Sequence, residues 1–208
     1  MTAVKRRYGM VHGRFQPFHL GHLTYLQAAL ERCETLIIAI TNPDPSAVRE
    51  EEEASHRHRD DANPYTFFQR QMMVREALLD EGVDLRRVVF TPFPINFPER
   101  WRYYLPPDTV QFIRVFSDWE RKKVERFQEA GYTVEVLHPG AEKEVEATDV
   151  RALMASGGDW RALVLQLFNL SLGLALYWPF VRRYDRRLVQ RELEAAVAPA
   201  APAAQQAS

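Results

Sequence analysis

The chain predicts an α/β fold, a doubly wound parallel sheet of five strands with added C-terminal helices. Three observations carry this. Short apolar runs alternate with longer stretches of helical spacing, which is the signature of strand–helix–strand units. The runs are mostly rich in β-branched and aromatic residues. The 208 residues are 46% apolar and 12% aromatic, ample for one packed core and too apolar for a disordered chain.

The strands are predicted at Tyr8–Val11, Leu36–Thr41, Val88–Thr91, Phe112–Phe116 and Thr133–Leu137. Leu20, Leu23, Leu26, Gln27 and Leu30 form one helical stripe; Met72, Met73, Ala77 and Leu78 form another. Thr66 followed by Gln69 reads as a capping box opening the second helix. In such a sheet the ligand sits at the carboxyl ends of the strands, where strand order reverses. The domain is expected to span 1–161. Within it, 43–63 is long and charged and is expected to be a mobile loop that could close over a ligand. Its run Glu50–Glu53 reads as solvated, and its His56 and His58 lack matching metal-ligand spacing.

A helical extension is expected at 162–194 and a disordered Ala/Pro/Gln tail at 195–208. The apolar stretch Leu163–Phe180 approaches membrane-spanning length, but Gln166, Asn169 and Ser171 interrupt it. A core or subunit interface is the expectation, making a membrane partner the lesser reading.

Lys and Arg number 27 against 28 Asp and Glu, a net charge of −1, which argues against a nucleic-acid coat. The single cysteine, Cys33, excludes an internal disulfide and a multi-cysteine zinc site. No signal-peptide apolar run follows Lys5, Arg6 and Arg7, so a cytoplasmic location is expected.

The chemistry concentrates in Gly13-Arg14-Phe15-Gln16-Pro17-Phe18-His19-Leu20-Gly21-His22, between the first strand and the first helix. It lacks the Gly-Lys-Ser/Thr of a P-loop and the glycine pattern of a dinucleotide site. His19 and His22 stand three apart and so share a helix face at a helix N-terminus, where unpaired N–H groups favour a phosphate. Gly21 permits close backbone approach, and Arg14 adds a permanent charge. His12, on the strand just before, fits a structural role and a site role equally.

This stretch resembles the signature of the HxGH nucleotidylyltransferases, and more closely the archaeal-type nicotinamide-nucleotide adenylyltransferases. Asn63-Pro64-Tyr65-Thr66 with Arg70 is similar to that group's Asn-Pro-Phe-Thr segment and following Arg. Thr148-Asp149-Val150-Arg151 is similar to its Ser/Thr-x-x-Arg segment at a late helix start. Gly158-Asp159-Trp160-Arg161 is similar to a further segment of the group, and beyond it the likeness fades.

The resemblance implies a Rossmann-like domain and transfer of a nucleoside monophosphate from a triphosphate to the phosphate of an acceptor, with release of pyrophosphate. It implies His19, His22 and Arg14 as catalytic residues. It implies His12, Gly13, Gln16, Gly21, Thr148 and Arg151 as nucleotide-binding, with Thr148 capping the late helix. Mg²⁺ is implied as substrate-bound, with no dedicated protein ligands and no organic cofactor. Trp101, with Asn96 as the nearest amide, is implied at the acceptor. Oligomeric relatives imply a homo-oligomer. For Arg70 a surface salt bridge and a phosphate contact are equally open, and for Arg151 a plain helix-surface role stands beside the phosphate role.

Several positions depart from the group. Ser117-Asp118-Trp119 stands where it has Ser-Gly-Asn, Ala147-Thr148 where it has Ser-Thr or Gly-Thr, and Pro98 where it has an Asn three residues before the Trp. Phosphate handling is therefore kept while acceptor reading differs. Two reactions fit: ATP plus nicotinamide mononucleotide giving NAD, the first expectation on overall resemblance, and CTP-dependent transfer to a small phosphate or phosphonate. The usual cytidylyltransferase Arg-Thr-Glu-Gly-Ile-Ser segment is absent. A non-catalytic nucleotide-binding protein is the reading from another class, and the retained histidines speak against it.

Overall fold

Each apolar run becomes a strand of one sheet. The computed structural model describes residues 4–44, 62–137 and 147–159. The strands are β1 (Arg6–Gly13), β2 (Cys33–Thr41), β3 (Val88–Phe93), β4 (Val110–Arg114) and β5 (Thr133–Leu137); the helices are α1 (Leu20–Leu30), α2 (Phe67–Asp80), α3 (Asp118–Glu129) and α4 (Ala147–Ser156). All five strands are parallel, in the order β3-β2-β1-β4-β5. The order reverses between β1 and β4, so the crevice that binds ligands in such sheets opens above those two strands.

Period-2 alternation sorts the strand residues onto two faces. Val11, Leu36, Ile38, Ile40, Val110 and Phe112 face one core, closed by α1, α2 and α4 through Leu26, Met73, Ala77, Val150 and Met154. Met10, Ile37, Ala39 and Ile113 face a second core, closed by Phe127 of α3 and by Trp101, in a 3-10 turn at Pro98–Tyr103. Both helical stripes are buried as expected, at Leu23, Leu26 and Leu30 and at Met73, Ala77 and Leu78. β4 lies two residues earlier than the sequence suggests. Val115 and Phe116 leave the ladder because Ser117 starts a capping box with Glu120 that opens α3. The Thr66–Gln69 box opens α2 as predicted.

Among the described residues no helix is long and apolar enough to cross a membrane. Leu163–Phe180, the extension, the tail and most of the charged loop, with His56, His58 and Glu50–Glu53, lie outside the described residues.

Gly9 shows how closely the central strands pack. A Cβ there would collide with the Phe112 ring and lie 2.9 Å from the Cys33 Cβ. Gly9→Ala is expected to lower stability by about 1–3 kcal/mol, the usual cost of overpacking a core, measured by urea unfolding.

Candidate functional site

The turn leaving β1 is shaped by its own side chains. Gly13 has no Cβ, and one built there would lie 2.9 Å from the Phe15 ring. That ring therefore folds back over the strand end. Phe15 adopts φ 52°, the left-handed region, at a cost of about 1 kcal/mol or more for a non-glycine residue. Its ring is buried and packs edge-on to His22 at 5.0 Å between centroids and against Phe18 at 5.8 Å.

His19 is the N-cap of α1 through its backbone. Its carbonyl accepts from the N–H of His22 at 2.9 Å and of Leu23 at 3.1 Å, while its ring makes no capping bond. Both imidazoles are thereby left for other work. They stack on each other at 3.7 Å, and His22 stacks on Phe18 at 5.6 Å. The Nδ1 atoms of His12, His19 and His22 are all buried without a hydrogen-bond partner. Buried polar atoms in native proteins are nearly always satisfied, so orphans grouped at a strand-order switch point to a ligand.

Electrostatics agree. Burial lowers the His19 pKa to about 3. His22 is held well below its ordinary value by burial, and next by His19, Arg114 and Arg14. His12 is lowered by burial and by Lys123. The site is thus a set of neutral imidazoles ringed by cations, and an anion entering it gains donors and charge together.

The segment after the charged loop braces this turn. Gln16 and Tyr65 pair reciprocally: the Gln16 side-chain N–H donates to the Tyr65 carbonyl and the Tyr65 N–H to Gln16 Oε1, each at 2.9 Å. Arg14 donates to Asn63 Oδ1 at 3.4 Å and to the Ala62 carbonyl at 3.5 Å. Arg70 is 1% exposed and donates to the carbonyls of Thr41 at 2.7 Å, Asn42 at 2.8 Å, Arg14 at 2.9 Å and Thr66 at 3.2 Å. It is neither a surface salt bridge nor a phosphate ligand, but a clamp joining the exits of β1 and β2 to the start of α2.

Other predicted residues fall into place or move. Gln16, implied as nucleotide-binding, has its buried amide paired at both ends with Tyr65 and braces the turn. Arg151 of α4 reaches the turn, donating to the Gln16 carbonyl at 2.5 Å and to the Thr148 hydroxyl at 3.3 Å. Thr148 therefore sits inside α4 as a partner of Arg151 rather than before the helix as its cap. Gly21 offers its carbonyl to Arg114 at 3.1 Å.

Trp101 is corrected. It is 1% exposed, its ring packs on Phe127 at 4.3 Å and Phe93 at 5.6 Å, and its N–H donates to the Pro94 carbonyl at 2.9 Å. An indole so covered presents no face for an acceptor to stack on. Asn96 is half-buried in the loop between β3 and that 3-10 turn. Asp118, one of the departures from the group, points outward and pairs with Arg121 at 3.2 Å.

Sequence reasoning missed Arg114. Arg114 ends β4 at the switch point, with its guanidinium 5.4 Å from the Tyr25 ring centroid. The signal was available: an arginine closing an apolar strand at the ligand edge of a parallel sheet.

A model of the cytidylyltransferase-like family matches residues 10–152. The chain belongs to that family. It is 45% identical over 156 residues to a phosphonoformate cytidylyltransferase of Streptomyces viridochromogenes, covering 75% of this chain and 85% of the relative. It is 34% identical to a nicotinamide-nucleotide adenylyltransferase of Saccharolobus solfataricus, over 75% of this chain and 84% of the relative. It is 40% identical to one of Ignicoccus hospitalis, over 73% and 82%. Among solved structures, a bifunctional NMN adenylyltransferase/ADP ribose pyrophosphatase from Francisella tularensis has the same fold, with TM-score 0.56 and 20% identity. That match covers 95% of this chain and 58% of the longer one. This family member is thus a nucleotidyltransferase with a Rossmann-like domain.

The buried imidazoles set a pH dependence. Each binds a proton more readily in the unfolded chain, so stability is full above the ordinary histidine value of about 6.5 and falls as pH drops below it. For His19 that loss continues down to its folded value of about 3. The slope approaches about 1.4 kcal/mol per pH unit per histidine. Urea midpoints should fall between pH 7.5 and pH 5, and less steeply in His19→Asn, since Asn is also a good N-cap.

Proposed function

We propose that the protein transfers a cytidylyl group from CTP to a small phosphonate or phosphate acceptor and releases pyrophosphate. The observation that carries the acceptor class is Trp101 buried with its faces against Phe127 and Phe93. The aromatic that the adenylyltransferase reading assigns to a nicotinamide ring is occupied by the core. The 45% identical phosphonoformate cytidylyltransferase supports the same reading. Transfer from ATP to nicotinamide mononucleotide is the second reading, favoured by the relatives from Saccharolobus and Ignicoccus.

The mechanism follows from the site. A Mg²⁺ ion arriving with the triphosphate would supply charge neutralisation on the phosphates and would need few protein ligands. Among the described residues no three His, Cys, Asp or Glu side chains group to hold a metal, and the charges facing the cradle are cationic. His19 and His22 donate ring N–H bonds to oxygens of the phosphates at the N-terminus of α1. Arg14 and Arg151 approach from the turn and from α4, fixing the tail along the strand edge. An acceptor oxygen attacks the α-phosphorus. The bond to the oxygen bridging to the β-phosphate breaks, and pyrophosphate leaves with the electron pair. The protein's contribution is placement and charge stabilisation, with no covalent intermediate on the chain. This reading places the enzyme in the cytoplasm with its nucleotide pool. It also makes it a homo-oligomer, a second copy covering exposed aromatics such as Phe68 and Tyr103.

A pyrophosphate-release screen separates the readings. CTP with phosphonoformate should turn over at least ten times faster than ATP with nicotinamide mononucleotide; the reverse preference would select the second reading. His22→Ala should reduce kcat by about 10²- to 10³-fold, the usual effect of removing one donor to developing charge, in a variant that still melts cooperatively.

A further inference from the structure

α1 is tied to β4 at two levels, both beside the histidine pair. β1 and β4 are register partners at Gly9↔Val110 and Met10↔Gln111. Their ladder ends there, although the strands run on to Gly13 and Arg114 at the ligand edge. Tyr25 of α1 takes over the join. Its buried hydroxyl donates to the carbonyl of Phe112, beyond the last ladder pair, and the His12 N–H bears on the same oxygen. Burial pushes the phenol above its ordinary pKa, so the hydroxyl keeps its proton and stays a donor.

Arg114 makes the second tie. It is the last residue of β4, and strand alternation puts it with Val110 and Phe112 on the α1 side of the sheet. Its guanidinium lies 5.4 Å from the Tyr25 ring centroid and donates to the Gly21 carbonyl at 3.1 Å. Gly21 and Tyr25 are four apart on one helix face, so a single guanidinium spans both. Gly21 also immediately precedes His22. Its carbonyl and the His22 nitrogen belong to one planar peptide unit. Holding that carbonyl therefore fixes the backbone from which His22 projects.

Transfer chemistry makes that placement matter. Stacking on His19 and Phe18 and the edge contact with Phe15 set the His22 ring relative to the turn after β1. A ligand in such a sheet, however, sits above the crevice between β1 and β4. The ring must also be fixed relative to β4, and a misplacement of about 1 Å can cost roughly 10²-fold in rate. We infer that Tyr25 and Arg114 are positioning residues for His22, locking α1 to β4 so that the imidazole faces the transferred phosphoryl group. This rests on the transfer reading above and adds to it two residues that act through His22 rather than on the nucleotide.

The test measures steady-state kinetics of Tyr25→Phe and Arg114→Met, each alone and combined with His22→Ala. Each alone should lower kcat about tenfold and leave the KM for CTP within about twofold. Neither should lower kcat further once His22 is gone, since nothing is left to position. Arg114→Lys, which keeps a donor and a charge beside the Tyr25 ring, should recover most of the loss. Tyr25→Phe removes a single oxygen and carries the test if Arg114→Met fails to melt cooperatively. Arg87→Met is the control. Arg87 donates to the carbonyls of Leu30, Cys33 and Glu34 at the opposite edge of the sheet, so its loss should lower the melting temperature and leave kcat unchanged. A readout without turnover comes from protein labelled at the histidine rings. Tyr25→Phe should move the His22 Cε1–H signal, identified by its loss in His22→Ala, and Arg87→Met should not. Losses that add to that of His22→Ala, a raised KM for CTP with kcat intact, or an unmoved His22 signal would overturn the positioning role. A moved signal without pyrophosphate release by the unaltered protein would leave the role standing and remove the transfer reading.

Discussion

A buried guanidinium holds the site together. Arg70 has no carboxylate partner among the described residues; its charge is met by carbonyl dipoles from Thr41, Asn42, Arg14 and Thr66. These belong to segments far apart in sequence: the exits of β1 and β2 and the start of α2. Backbone carbonyls at strand ends have no ladder partner and must otherwise be solvated. One planar, multidentate cation satisfies them together, which an ammonium could not do with the same geometry. Burial lowers its pKa to about 10, so the charge persists at neutral pH. The clamp thus fixes the backbone from which Arg14 projects, while adding positive potential beneath a site meant for a polyanion.

Neutral histidines fit the same logic. A charged imidazole pair stacked at 3.7 Å would repel itself, and burial would add a desolvation cost. Kept neutral, the rings are donors that a phosphate oxygen can use without prior proton loss or gain. The permanent charge comes instead from arginines whose state does not vary with physiological pH. Charge and hydrogen bonding are divided between residue types, so binding strength and ring orientation are set independently.

The sheet was legible in the sequence because its signal is local: β-branched runs at helical separations leave little choice of class. The histidine pair was legible for the same reason, being three residues apart on one helix. Residues defined by long-range pairing were harder to read. Gln16 looks like a ligand until Tyr65, 49 positions later, takes both ends of its amide. Arg70 leaves a surface salt bridge and a phosphate contact equally open because nothing near it in sequence shows that four carbonyls converge on it. Trp101 was misplaced for a related reason. The resemblance implied it at the acceptor, and only the fold brings Phe93 and Phe127 to cover it.

Trp101 also bears on how acceptor choice can change while the transfer chemistry stays. The cradle is built from backbone and cations at the end of β1, α1 and α4, all on one side of the sheet. The opposite side of the sheet is closed by α3 and the turn after β3. Sinking one indole into the core removes an aromatic platform at little cost to the phosphate side. Specificity in this arrangement is a difference between two acceptors, made by the absence of a surface the larger one requires.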